Sequence, residues 1–157
     1  MCGRRRTLGC DEACGWKSPH EQAVAERSRP RVLLETPDPG DAFACWRILE
    51  RNGYEVSWCP GPDGSPPGTC PLVTSGQCAL AGDADVIVSS LGLRRSSARC
   101  VLGALRRRLP DTPVIVAATA SASHQWVPLL AGRRTLRLPM TAPALLASVE
   151  EAVAGTR

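Results

Sequence analysis

The sequence predicts an α/β fold with a parallel β-sheet. Short apolar runs such as 32–34, 86–88 and 113–118 alternate with segments whose apolar residues follow a helical period. Runs that are continuous rather than alternating are typical of strands covered on both faces, as in parallel sheets. The chain has 157 residues, which favours one domain with a sizeable core and makes a disulfide or metal unnecessary for folding.

The first two strands are predicted at 32–34 and 54–58, with a helix between them. Asp41 is a residue type that caps helix starts, and Gly53 suits the left-handed conformation that often follows a helix end. The helix face that we expect to pack on the sheet carries Ala42, Cys45, Trp46 and Leu49.

Residues 59–82 break this pattern. The stretch PGPDGSPPGTCPLVTSGQ is rich in Pro and Gly and cannot form a long helix. Only Gln77 to Ala81 are compatible with a helical turn. We therefore expect the second helix of the fold to be shortened or replaced by a loop.

Three further strand–helix units follow. Ser96 or Ser97 is expected to cap the helix after the third strand, and Thr141 the last helix. A weak helix over 121–131 accommodates Pro128 near its start or at a kink. Five units in about 125 residues fit the flavodoxin-like strand order 2-1-3-4-5, a three-layer α/β/α sandwich. The strands are predicted at 85–89, 113–118 and 135–138.

Charge and hydropathy narrow the function classes. Residues 1–29 have no sustained period and are predicted to be a flexible tail before a domain over 30–157. Of the net charge of +4, three charges fall within residues 1–31, so the body is almost neutral and nucleic acid is not expected as a partner.

No apolar run approaches the ~18 residues of a membrane span, and no secretory signal is evident. We expect a cytoplasmic protein; the near absence of lysine suggests an actinobacterial genome.

Four segments in order carry a more specific signal: RVLLETPDPGDAF, DADVIVSSLGL, LPDTPVIVAAT and LRLPMTAPALLASV. Their order and spacing over about residues 30–155 resemble the receiver domain of bacterial two-component response regulators. In that family an acid pair after the first strand holds Mg²⁺, and an aspartate after the third strand accepts a phosphoryl group. A Ser or Thr after the fourth strand and a Lys after the fifth bind the phosphate.

The first half of this machinery is missing when the resemblance is carried over. The acid-pair positions fall on Thr36 and Pro37, while Glu35 and Asp38 lie one position out of place. The phosphoacceptor position falls on Ser90. A serine cannot form an acyl phosphate, and oxygen ligands for Mg²⁺ are lacking beside it.

The second half is missing too. The Ser/Thr position falls on Ala118, with Thr119 next to it, and the Lys position falls on Leu138. The corresponding X–Pro bond is cis in receivers, so the resemblance implies a cis Leu138–Pro139 bond, although trans is the default for X–Pro. The resemblance therefore implies a pseudo-receiver without cofactors or enzyme activity, which regulates by binding a protein such as a regulator or kinase, or by forming a homodimer. Trp126, if exposed, Leu138 and the last helix form the expected partner surface.

Cysteines support an alternative, a metal or redox sensor on the same fold. Cys59, Cys70 and Cys78 all fall in the Pro- and Gly-rich segment, but their spacing lacks a C-x2-C knuckle, so no metal is predicted unless tail cysteines add a ligand. Otherwise Cys78 packs as a small apolar residue and the other two are exposed or loosely paired thiols. Cys45 and Cys100 lie on helix faces and are assigned to the core.

A weaker alternative is an enzyme or small-ligand site at the carboxyl edge of the sheet. Ser90 would act as nucleophile and His124 as base, with Thr36 close by. No G-x-S-x-G elbow surrounds Ser90, and no third group is evident that would orient His124.

Overall fold

A computed structural model describes residues 29–64 and 68–156. They form one five-stranded parallel sheet of order β2-β1-β3-β4-β5, which confirms the predicted fold and strand order. The predicted tail lies outside the described residues except for Arg29. The strands are β1 (Arg31–Glu35), β2 (Glu55–Cys59), β3 (Val86–Ser89), β4 (Val114–Ala118) and β5 (Arg134–Arg137). The helices are α1 (Pro39–Arg51), α2 (Pro71–Thr74), α3 (Ala79–Gly82), α4 (Ser96–Arg108), α5 (Ala120–Gln125), α6 (Val127–Leu130) and α7 (Ala142–Ala154).

The sheet is covered on both faces, as the continuous apolar runs predict. On one face, here the α1/α7 face, Leu34 and Val88 pack with Leu145. On the opposite face, the α4 face, Leu33 packs with Leu102. Burying each such Leu contributes about 1.5–3 kcal/mol, so both layers are held to the sheet mainly by apolar contact.

Helix α1 begins earlier than predicted. Asp38, not Asp41, is its cap: the Asp38 carboxylate accepts a hydrogen bond from the Asp41 N–H at 2.8 Å. Pro39 fits the first helical position because its missing N–H would have no partner inside the helix. At the other end Gly53 adopts φ +87°, as predicted.

The Pro- and Gly-rich segment contains two short helices, one more than predicted. Helix α3 overlaps the expected turn, whereas α2 is not predicted, since the Pro- and Gly-rich composition indicates a loop there. Pro71 lies in the first turn of α2, where proline is tolerated. Leu72 and Ala81 anchor the two helices in the core of the α4 face.

The predicted serine cap of α4 is wrong. Arg95 occupies the cap position without a side-chain cap bond, and Ser97 donates its hydroxyl hydrogen to Asp63 instead. The weak helix predicted over 121–131 is divided at Trp126 into α5 and α6, and Pro128 lies in the first turn of α6, a position that tolerates proline. Thr141 caps α7, as predicted.

None of the helices within the described residues is long and apolar enough to cross a membrane.

Candidate functional site

A pocket of about 280 Å³ lies at the carboxyl edge of the sheet, between the ends of β1 and β3 and the helices α1 and α7. It brings together three residues that the sequence singled out, Thr36, Ser90 and Leu138. We call it the edge pocket. Most of its other lining is apolar, including Leu34, Ala44, Cys45, Ile48, Val88, Met140 and Leu145, but the acidic residues Glu35 and Asp41 line it as well.

Backbone bonds hold the predicted phosphorylation positions in place. The Ser90 N–H donates to the Glu35 carbonyl at 2.7 Å. Thr36 is buried, and its carbonyl accepts a hydrogen bond from the Trp58 indole N–H at 2.9 Å. These bonds fix the two strand ends, while the carboxylate of Asp38 is occupied as the cap of α1.

The remaining predicted positions lie outside the edge pocket. Pro37 does not line it. Ala118 is buried in the α4 face, although its carbonyl accepts a hydrogen bond from the Leu138 N–H at 3.0 Å. Thr119 caps α5 by accepting a hydrogen bond from the Ala122 N–H. Leu138 itself precedes a cis bond to Pro139. Ala118 and Leu138 therefore lie at strand ends that are joined by a backbone hydrogen bond, and Thr119 is a helix cap.

The structure does not bring the predicted nucleophile and base together. Ser90 lines the edge pocket, whereas His124 lies exposed on α5 and contributes nothing to the pocket lining. The two residues share the carboxyl edge of the sheet, as predicted, but not a common cavity.

Trp126 is not the exposed aromatic that the sequence suggests. It is half-buried against the core of the α4 face, because the chain breaks there between α5 and α6. The guanidinium of Arg99 lies 4.3 Å from the ring centroid, a cation–π contact that covers the indole further. The indole N–H is buried and has no hydrogen-bond partner among the described residues.

A second cavity, of about 210 Å³, lies on the α4 face below the segment 59–82. We call it the thiol cavity because Cys59, Cys70 and Cys78 all line it, together with Glu35. The sequence separates Glu35 from these cysteines, but Glu35 and Cys59 are register partners on β1 and β2. The one available signal was that both residues end neighbouring strands.

Glu35 is an unusual residue for this position. It is 5% exposed, and its Oε2 has no hydrogen-bond partner among the described residues. Burial raises the pKa of its carboxyl to about 7, and a hydrogen bond from Ser89 and the charge of Arg133 offset this rise only in part. Near neutral pH the group therefore exists both as acid and as carboxylate.

The thiols differ in their surroundings. Burial raises the pKa of the Cys59 thiol, and the neighbouring Glu35, Cys70 and Cys78 raise it further against a hydrogen bond from the Gly61 N–H. Cys45 is buried, as predicted, but Cys100 is exposed, so its assignment to the core is wrong. The helix α4 places Cys100 on its solvent-exposed side.

No group of three or more metal-ligating side chains close enough to hold an ion occurs within residues 29–64 and 68–156.

Comparison with solved structures places this fold among receiver domains. The receiver domain of Francisella response regulator 1452 matches with a TM-score of 0.62 and 20% identity, covering 82% of this chain and all of that one. A response regulator receiver domain from Clostridium thermocellum matches with a TM-score of 0.61 and 17% identity, covering 80% and 95%. The non-phosphorylated HemR receiver domain from Leptospira biflexa matches with 0.59 and 20%, covering 82% and 98%.

The protein therefore has the fold of a response-regulator receiver domain. No protein-family model and no curated protein matches the chain. At these identities the structural likeness defines the fold, and the site residues decide what the fold is used for.

Proposed function

We propose that this protein is a receiver-like regulator that acts by binding a protein partner, without aspartyl phosphorylation. The observation that carries the proposal is the lining of the edge pocket. Where the receiver fold needs an acid, an aspartate and a lysine, the pocket has Thr36, Ser90 and Leu138. Apolar side chains and the acidic residues Glu35 and Asp41 line the rest of the pocket, and none of its described lining residues is basic, so a doubly charged phosphoryl group would be desolvated there without a compensating cation.

Phosphorylation chemistry provides the first test. The full chain is incubated with acetyl phosphate and Mg²⁺, and intact mass is followed; we expect no added phosphate. A matched variant combines Thr36→Asp, Ser90→Asp and Leu138→Lys, and any phosphate that it gains shows that the lost side chains are the cause. A hydroxylamine-sensitive phosphate on the unmodified chain would contradict the proposal.

The partner surface is proposed around α1 rather than at Trp126. Phe43 is 64% exposed on α1, next to Ala44 of the edge-pocket lining. The Arg47 guanidinium lies 5.8 Å from its ring centroid. An exposed aromatic with an arginine beside it is the kind of pair in which binding energy concentrates at protein interfaces. Leu138 stays in this proposal because it lines the pocket mouth near the same helix.

Partner capture provides the second test. We expect Phe43→Ala to weaken capture of a cellular protein by about tenfold and to leave the fold intact. Leu80→Ala is the matched control, since Leu80 is also an exposed apolar residue but lies on the other face. Ser90→Ala is expected to change nothing. If Ser90→Ala abolishes function and Phe43→Ala has no effect, the edge pocket is a ligand or active site instead.

A further inference from the structure

The thiol cavity combines two features that the proposed function does not use. Three half-buried thiols converge on it from separate elements: Cys59 ends β2, while Cys70 and Cys78 precede α2 and α3. A nearly fully buried carboxyl, Glu35, lines the same cavity and has an oxygen without a hydrogen-bond partner among the described residues. A buried carboxyl with one unpaired oxygen is costly and rarely retained without a role.

The register of the sheet places the carboxyl beside one particular thiol. Glu35 and Cys59 are directly paired on the parallel strands β1 and β2, and paired residues of neighbouring strands point to the same face. Of the other two thiols, Cys70 lies in a continuous run of cavity-lining residues, 68–72, whereas Cys78 lines the cavity without its immediate neighbours in the chain. Cys59 therefore shares the cavity with a carboxyl on the paired strand and with Cys70, the thiol that is more fully embedded in the cavity wall.

We propose that Cys59 and Cys70 form an oxidisable dithiol in which Glu35 takes the proton from Cys59. The oxidant is a hydroperoxide. This inference rests on other observations than the proposed partner binding, since it concerns the thiols on the α4 face, although Glu35 lines the edge pocket as well.

The chemistry balances as a two-electron oxidation. The Cys59 thiol gives its proton to the Glu35 carboxylate, and the thiolate attacks one peroxide oxygen. The O–O bond breaks, the leaving oxygen takes the proton from Glu35 and departs as an alcohol or water, and Cys59 becomes a sulfenic acid. The Cys70 sulfur then attacks the Cys59 sulfur, so that the S–S bond forms, the S–O bond breaks and water leaves with the Cys70 proton.

Glu35 matters because Cys59 is a poor nucleophile by itself. Only the thiolate reacts, and burial raises the pKa of Cys59 above its ordinary value. A carboxyl that is partly ionised near pH 7 supplies the missing base. The groups that act on Glu35 are Cys59 on β2, Ser89 on β3 and Arg133 before β5.

The test treats the reduced full chain with hydrogen peroxide and maps disulfides by mass spectrometry without reduction. We expect a Cys59–Cys70 linkage that Cys70→Ser abolishes and that Cys78→Ser and Cys100→Ser leave intact. Glu35→Gln keeps the shape of the side chain but removes the base, and it is expected to slow linkage at pH 7 by at least about tenfold. The rate of the unmodified chain should rise with pH and level off above about pH 7, where Glu35 is fully ionised, whereas the rate of Glu35→Gln should keep rising with pH as the thiolate fraction of Cys59 increases.

Three results would overturn the proposal. Cys59 and Cys70 could stay unlinked at a peroxide dose that oxidises Cys100, the exposed matched thiol. Cys59 could link to Cys78 instead, which would refute the assigned pair. Glu35→Gln could react at an unchanged rate with an unchanged pH profile, which would refute the role of the carboxyl.

Discussion

Two cavities meet at the end of β1 and differ in what surrounds them. The edge pocket on the α1/α7 face is lined mostly by apolar side chains, Leu34 among them. The thiol cavity toward the α4 face is lined by three cysteines. Glu35 lines both cavities, and one of its carboxyl oxygens has no hydrogen-bond partner among the described residues.

The difference follows from the alternation of a strand. In this chain the acid stands at Glu35, one position before the place where the resemblance to receivers requires it. A shift of one residue along a strand moves a side chain to the opposite face of the sheet. The carboxyl of Glu35 is therefore a buried group on the α4 face of its strand, and it is only partly ionised near pH 7.

The largest expected effect concerns the core beneath the edge pocket. Leu145 is fully buried on α7, and Leu145→Ala should lower the free energy of unfolding by about 2–5 kcal/mol because a cavity is left behind. Urea denaturation measures the loss. The neighbouring Leu146→Ala serves as control and should cost clearly less, since Leu146 is only half-buried. Equal losses would mean that α7 does not seat Leu145 as described.

The second-largest expected effect concerns Glu35 and the pH dependence of stability. The pKa of Glu35 is about 7 in the folded chain against an ordinary 4.5, so between these pH values the folded state binds more protons than the unfolded state. The contribution of Glu35 to the free energy of unfolding is therefore largest below pH 4.5 and falls as pH rises to 7 and above, by about 3 kcal/mol in all. Glu35→Gln should abolish this fall.

Urea titrations of the unmodified chain and of Glu35→Gln at pH 4, 6 and 8 test the expectation. The stability advantage of the glutamine variant should grow from pH 4 to pH 8. Glu50→Gln, at an exposed position on α1, should follow the unmodified chain. Parallel curves for Glu35→Gln and the unmodified chain would show that the pKa of Glu35 is the same in the folded and unfolded states.

A third, smaller effect sharpens the description of the α4 face. Trp126→Ala should cost about 1–2 kcal/mol, less than a fully buried aromatic, because the ring is half-buried and covered by Arg99. Arg99→Met keeps most of the stem and should cost about 0.5–1 kcal/mol. Thermal unfolding measures both. A negligible effect of Trp126→Ala would indicate that the ring is exposed, as the sequence suggested.

The smallest effect lies at the rim of the edge pocket. Asp38→Ala should cost about 1 kcal/mol, because it removes the cap of α1. Asp41→Ala is the matched control and should cost about 0.3–0.5 kcal/mol, the contribution of an acid in the first helical turn. Equal costs, measured by urea denaturation, would mean that Asp41 shares the capping role.

Much of the fold was predictable because it rests on local patterns. Continuous apolar runs mark strands that are covered on both faces. The position of Pro128 near a helix start and the cap at Thr141 follow from backbone chemistry. Errors arose where several residues compete for one role. Asp38 and Asp41 are both good caps, and Ser97 found a partner in Asp63, more than thirty residues away.

The strand order and the uncharged residues Thr36, Ser90 and Leu138 at the edge of the sheet could be predicted from residue type along the chain. That Trp126 is covered and that Glu35 shares a cavity with Cys59 and Cys70 follows only from the packing of the folded chain. Those groups lie far apart in sequence, and their meeting depends on strand register and on how the segment 59–82 packs against the sheet. No local pattern encodes a contact of that kind, because it forms only when separate elements are buried together.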